Sequence, residues 1–189
     1  MPRYEVKQFP LNQLKVFLSG VILVAASAFL VTSDTVKERY GILAILVGIA
    51  GLIVFTVGLI GAARLLLQPY LMMADGYGIT DNSALISMGF IPWEEVSDVG
   101  YVKYMGNHYI CITLTNPERY LETLPAVKRK IAENNIVRTR YPIWIVLNTA
   151  EEKSTQIART VRSFYTEYLK RNGLPVPEAF FAWPTPRFL

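Results

Sequence analysis

Two stretches of this chain carry no charge at all: residues 16–32 (VFLSGVILVAASAFLVT) and residues 41–63. As helices they would extend about 26 Å and about 34 Å, against a hydrocarbon core roughly 30 Å thick. Only the eight residues 33–40 separate them, so the expectation is a transmembrane helical hairpin with spans at 16–32 and 41–63. The apolar content of 52% and the mean hydropathy of +0.29 are concentrated in these runs, and the remainder reads as ordinary globular sequence. A cleavable signal peptide is the rival reading of the first run. Arg3, Lys7 and Lys15 supply its basic flank, and Ala26-Ser27-Ala28 has the small-x-small form of a cleavage site. The apolar run continues past that site through Phe29, Leu30 and Val31, which favours the uncleaved hairpin.

Orientation follows from Lys and Arg near the span ends. The N-terminal arm, residues 1–15, holds Arg3, Lys7 and Lys15, and Arg64 closes the second span. The connection holds Lys37 and Arg39 beside Asp34 and Glu38. The bias favours both termini in the cytoplasm. Within the spans only Ser19, Ser27, Thr32 and Thr56 are polar. A conduction path or proton relay needs ionisable groups at membrane depth, so the helices read as anchors. In the second span Gly41, Ala44, Gly48, Gly51, Phe55, Gly58 and Ala62 recur at steps of three and four. Gly41, Gly48, Gly51 and Gly58 are therefore candidates for close helix packing. Their partner is either Ala25, Ala28 and Thr32 of the first span or the same seam in a second copy.

From Gln68 the helical period gives way to alternation, and residues 64–172 are expected to form an α+β domain. Tyr70–Ala74 (YLMMA) reads as a strand, Asp75-Gly76-Tyr77-Gly78 as a turn, and a short strand is expected within 83–89. Pro92 breaks the chain before Trp93. Val96–Tyr104 and residues 109–115 are rich in β-branched and aromatic side chains, with residues 105–108 (MGNH) as the turn between them. Ile110, Ile112 and Leu114 alternate with Tyr109, Cys111 and Thr113, and the aliphatic set is predicted to face the core. Asn116 before Pro117 is a helix start. Short helices are expected through Leu124 and over 126–133, and then a buried strand in 141–147 (YPIWIVL). A final helix capped by Asn148 or Thr149 should run to about Arg171, with Ile157, Val161, Phe164 and Tyr168 on one face.

The motifs DGYGIT (75–80) and IPWEEVSDV (91–99), followed by a hairpin and closed by an amphipathic helix, resemble the bacterial pleckstrin-homology-like (PH-like) domains. Two spans joined to such a domain, with LTNPERYL (114–121) and YPIWI (141–145), are similar to an uncharacterised bacterial two-pass membrane family. The resemblance covers about residues 10–172. It implies a small β-barrel or sheet capped by a C-terminal helix, held on the cytoplasmic side of a bacterial inner membrane. It carries over no catalytic residues. The helical segment 117–133 departs from the PH-like pattern, and the tail 173–189 lies outside it.

No chemistry emerges from motif spacing. His108 is the single histidine and is expected in a solvated turn. Cys111 has no second histidine to activate it, and one Cys with one His falls short of a zinc site. A single cysteine also excludes an internal disulfide framework. No P-loop, dinucleotide fingerprint or nucleophile elbow is present, so neither an enzyme nor a cofactor is expected. The adjacent Glu94 and Glu95 point to opposite faces of an extended segment; they are expected to solvate a bend while Trp93 plugs the barrel end. The net charge of +4 gives little support to a nucleic-acid partner.

The expected partners are the bilayer and either a protein or a second copy. Lys128, Arg129, Lys130, Arg138 and Arg140 form a candidate patch for anionic lipid or a protein partner. The tail GLPVPEAFFAWPTPRFL adds Phe180, Phe181 and Trp183 as candidate docking residues, large apolar surface between four prolines. The reading from sequence is thus a membrane-anchored binding or scaffolding protein. An immunity-type protein that sequesters a toxin, or a component of a small oligomeric channel or transporter, is the alternative.

Overall fold

The structure is a computed structural model; it describes residues 2–8 and 10–176, apart from the side chains of residues 10–13. The chain divides into two units, residues 9–68 and a second built from residues 1–8 together with 69–189.

The first unit is a helical hairpin. Helix α1 (Pro10–Thr32) and helix α3 (Ile42–Leu67) are joined by a short helix α2 (Asp34–Tyr40). Residues 34–40 are therefore helical where only a connection was expected. Lys37 explains the order there: its ammonium donates to the Thr32 carbonyl (3.3 Å) at the end of α1 and pairs with Asp34 (3.2 Å). Gly41, with φ at 60°, takes the break between α2 and α3. It is thus a hinge residue outside the helical seam to which the spacing assigned it.

The hairpin packs where glycine removes side chains. A Cβ placed on Gly48 would lie 2.6 Å from Val31 Cγ2 and 3.0 Å from the Ser27 carbonyl oxygen. One on Gly51 would meet the Ser27 side chain. The facing residues are Ser27, Leu30 and Val31; Ala25 and Thr32 point outward. Ser19, Ser27 and Thr32 each donate to the carbonyl four residues back at 2.9 Å, so their hydroxyls are satisfied within α1. Most large apolar side chains of the hairpin are left uncovered by the chain, Ile22 at 68% exposure and Ile42 at 75% among them.

The second unit holds seven strands in two antiparallel sheets. Strands β1 (Tyr4–Lys7), β2 (Tyr70–Ala74), β3 (Gly78–Asp81) and β4 (Gly89–Pro92) form the first, in that order. Strands β5 (Val96–Tyr104), β6 (Asn107–Leu114) and β7 (Ile143–Val146) form the second. No ladder joins the two, so among the described residues there is no closed barrel.

Strand β1 is the largest correction to the sequence reading, which placed an arm at 1–15. It pairs with β2 from Tyr4↔Ala74 to Lys7↔Tyr70, so the two helices of the hairpin are inserted between neighbouring strands of one sheet. Val6 is fully buried, the Tyr4 hydroxyl donates to Glu152 (2.8 Å), and the Tyr4 ring stacks on Phe164. Two other strand positions move. The segment expected as a strand within 83–89 is a loop between β3 and β4. The β5–β6 turn is only Met105-Gly106, both with positive φ, as a two-residue hairpin requires.

Asn116 caps helix α4 (Pro117–Glu122) by accepting from the Arg119 amide at 3.1 Å. Helix α5 (Ala126–Thr139) runs six residues beyond the expected end and stops at Arg140, whose φ is 67°. Helix α6 (Ser154–Arg171) starts later than the cap residues Asn148 and Thr149 predicted. Asn148 is committed elsewhere: its side-chain oxygen accepts from the His108 amide (2.8 Å) and its amide donates to Asn107.

Ile157, Val161, Phe164 and Leu169 of α6 are buried in the main core with Leu71, Ile79, Ile91, Ile110, Ile112 and Ile145. Each such side chain contributes on the order of 1.5–3 kcal/mol. Along the free edge of β5, Arg162 donates to the Val99 carbonyl (3.2 Å) and Tyr165 to the Val96 carbonyl (2.9 Å). Two carbonyls in the first half of β5 are thereby engaged by α6.

Candidate interaction sites

Glu94 and Glu95 sit with Trp93 in a single 3-10 turn, so the segment is not extended as the sequence reading assumed. Trp93 is fully buried, its indole N–H donates to the Asp75 carbonyl (2.8 Å), and its ring lies 5.7 Å from that of Tyr165. Glu94 is exposed and Glu95 half-buried. Trp93 is thus a core residue rather than the plug of a barrel, and the two glutamates follow it on the turn.

The five candidate basic residues divide in two. Lys128 is half-buried, and its ammonium donates to the Met88 carbonyl (3.2 Å). Arg129 donates to the carbonyls of Leu121 (3.0 Å), Glu122 (3.0 Å) and Leu124 (3.4 Å), filling the acceptor positions left at the end of α4. Both are therefore structural. Lys130, Arg138 and Arg140 are exposed. The first two stand eight residues apart on α5, about 80° apart around its axis. Val127 (60% exposed) and Val137 (72%) lie on the same helix. Phe180, Phe181 and Trp183 lie outside the described residues.

Lys128 reaches a polar centre that no sequence motif announced. Asp81 is 2% exposed. One carboxylate oxygen accepts from the Ser83 amide (2.9 Å) and hydroxyl (2.7 Å), and the other from the Met88 amide (2.8 Å). The Ser83 hydroxyl oxygen in turn accepts from the Val146 amide on β7 (3.0 Å). The chain Asp81–Ser83–Val146 ties the β3–β4 loop to the second sheet. Burial raises the Asp81 carboxyl above its usual range, with the hydrogen bonds from Ser83 and Met88 and the charge of Lys128 opposing that shift.

Between α4, α5 and the end of β6 lies an open groove of about 790 Å³. Leu121, Ile136 and Pro142 make its apolar walls; Glu118, Glu122 and Glu133 give it an acidic side. Its basic members are Arg129, already engaged, and Arg140.

The nucleophile and metal candidates have other roles. Cys111 is fully buried in a small second cluster with Val102 and Tyr141, and burial pushes its thiol well above the ordinary value. The thiolate that a nucleophile needs is thereby suppressed. His108 lies in β6 rather than in a solvated turn; its ring stacks on Tyr101 and its Nδ1 shares a hydrogen bond with the Tyr101 hydroxyl. Among the described residues no three His, Cys, Asp or Glu side chains converge as a metal site.

No family model matches this chain, and no curated protein or solved structure matches it either.

Proposed function

We infer that this protein is a two-pass membrane anchor bearing a PH-like binding module. The observation that carries the reading is the pairing of β1 with β2. The segments before and after the two apolar helices belong to one sheet, so both lie on one side of any membrane that the helices cross. Two spans satisfy that requirement and one does not. Removal of residues up to Ala28 as a signal peptide would take β1 out of the sheet. Two helices long and apolar enough to cross, with their large side chains uncovered, support the same reading.

Four strands and three strands with a C-terminal helix over them are consistent with the PH-like resemblance. The sheets remain open to each other, and α4 and α5 are additions to that pattern. The basic span ends support a cytoplasmic module at a bacterial inner membrane. There α5 is the contact element. Lys130, Arg138 and Arg140 meet anionic headgroups at roughly 1 kcal/mol each, and Val127 and Val137 supply apolar area beside them. A conduction path needs ionisable groups at membrane depth, and the polar residues of the spans are hydroxyls alone, those of Ser19, Ser27 and Thr32 donating to their own backbone.

The test is cysteine labelling in intact and permeabilised cells with a membrane-impermeant maleimide, using Pro2→Cys, Glu38→Cys and Met105→Cys. Position 38 should label from outside, and positions 2 and 105 only after permeabilisation. Opposite accessibility of positions 2 and 105 would sink the two-pass reading. Charge reversal at Lys130, Arg138 and Arg140 should reduce crosslinking of the module to phosphatidylglycerol headgroups in reconstituted vesicles. Unchanged crosslinking would remove α5 as the contact element.

A further inference from the structure

The hairpin does not pack uniformly along its length. At Gly48 the two helices are in contact, and an added Cβ has no room. At Gly58, ten residues nearer the domain, an added Cβ would meet nothing within 4 Å. Around Gly58 opens a groove of about 440 Å³, lined by Lys15, Ser19 and Gly20 on α1 and by Val54, Phe55 and Gly58 on α3, among others. Its volume falls within the roughly 300–1,000 Å³ of small-molecule pockets.

Three properties define what it accepts. Along α1 it runs from Lys15 to Leu23, about 12 Å, which is most of one leaflet of a core roughly 30 Å thick. Its walls are apolar, and the Ser19 hydroxyl proton is already given to the Lys15 carbonyl, so no donor is offered to water or an anion at depth. Its one charged lining residue is Lys15, at the end that meets the membrane surface. Arg64 lies two residues beyond Ala62 at that same end, and no carboxylate lines the groove. A cationic mouth over an apolar slot complements an anionic amphiphile whose chain lies along the helices.

We propose that this groove is a binding site for one anionic phospholipid of the adjacent leaflet. One acyl chain lies over Gly58, and the phosphate sits at Lys15. The proposal rests on the membrane-spanning reading above. A lipid here fills the gap beside Gly58, and makes the hairpin's packing depend on the charge composition of its leaflet.

The full chain, reconstituted in nanodiscs of phosphatidylglycerol and phosphatidylethanolamine, is released and weighed by native mass spectrometry. One retained phosphatidylglycerol per chain is expected. Gly58→Leu places its Cβ in open space and its branches in the slot, and should lower that retention at least about tenfold, an effect of roughly 1.4 kcal/mol. Lys15→Gln should abolish the preference for phosphatidylglycerol over phosphatidylethanolamine. Retention at the wild-type level in both variants overturns the site. So does a wild-type dimer that Gly58→Leu converts to monomer, because the groove then belongs to a second copy. Carbonate extraction of the same membranes separates the two ideas. Chain found in the supernatant overturns the spanning helices themselves, whereas chain in the pellet with unselective lipid overturns only the groove.

Discussion

The hairpin and the domain satisfy their polar groups over very different distances. In the hairpin every side-chain hydrogen bond described closes within five residues: Ser19 to Lys15, Ser27 to Leu23, Thr32 to Ala28, Lys37 to Thr32. In the domain the bonds that join elements reach across the chain. Lys128 binds the carbonyl of Met88, Val146 the hydroxyl of Ser83, Tyr165 the carbonyl of Val96, and Tyr4 the carboxylate of Glu152. The apolar side chains divide the same way, outward in the hairpin and inward in the domain. A segment that finishes its polar bookkeeping locally can stand in lipid, where no water completes it. A segment that depends on distant partners must fold in water before those bonds exist. The two units hold their polar groups by different means, and each should fail by its own mechanism.

Trp93→Ala should have the largest effect. It empties a fully buried site and leaves the Asp75 carbonyl without its donor, costing about 3–5 kcal/mol. Hydrogen exchange on the full chain in micelles would show the strands opening while α1 and α3 keep their protection; loss of protection in both units would break the comparison. Asp81→Ala comes next. It strands the buried amides of Ser83 and Met88 and should destabilise the domain by about 2–3 kcal/mol, read from its urea midpoint.

Gly48→Leu tests the other side. Overpacking against Val31 and Ser27 should cost the hairpin about 1–3 kcal/mol, with faster exchange in α1 and α3 and an unchanged domain midpoint. The smallest effect is one of pH. Burial raises the folded pKa of Asp81, so the folded domain holds that proton more tightly than the unfolded chain does. The resulting stabilisation is complete below the unfolded carboxylate value and is lost as pH rises through the folded one. The urea midpoint of wild type, less that of Asp81→Asn, should therefore fall as pH climbs through that window. A difference that rises instead would show that the hydrogen bonds from Ser83 and Met88 outweigh burial.

How far the molecule could be read from its residues follows the same division. The hairpin was legible because freedom from charge over the length of a helix is a local signal, and so was the face of α6, where Ile157, Val161 and Phe164 recur in register. Strand β1 was not, since four residues (YEVK) carry little pattern and their partner lies beyond both helices. Lys128 and Arg129 looked like free surface charge because their partners are main-chain carbonyls, which sequence does not distinguish. Asn148 has the chemistry of a helix cap and is used to hold a hairpin. Asp81 resembles any turn residue until the Met88 amide is brought back to it by a loop. The candidate patch was thus half visible: Lys130, Arg138 and Arg140 remain exposed, and what neutralises the other two is a matter of tertiary structure.

The insertion of the hairpin between β1 and β2 also orders events in time. Residues 4–7 are the first of the sheet to leave the ribosome, yet their partner follows roughly sixty residues later, about 3–12 s of synthesis at 5–20 residues per second. Throughout that interval the sheet lacks its first strand. A chain threaded with its N-terminus across the membrane can never supply it, and is left with Leu71 and Met72 covered on one side only. In a chain whose helices cross a membrane, completion of the sheet would require the two ends of the hairpin to stand on the same side of it.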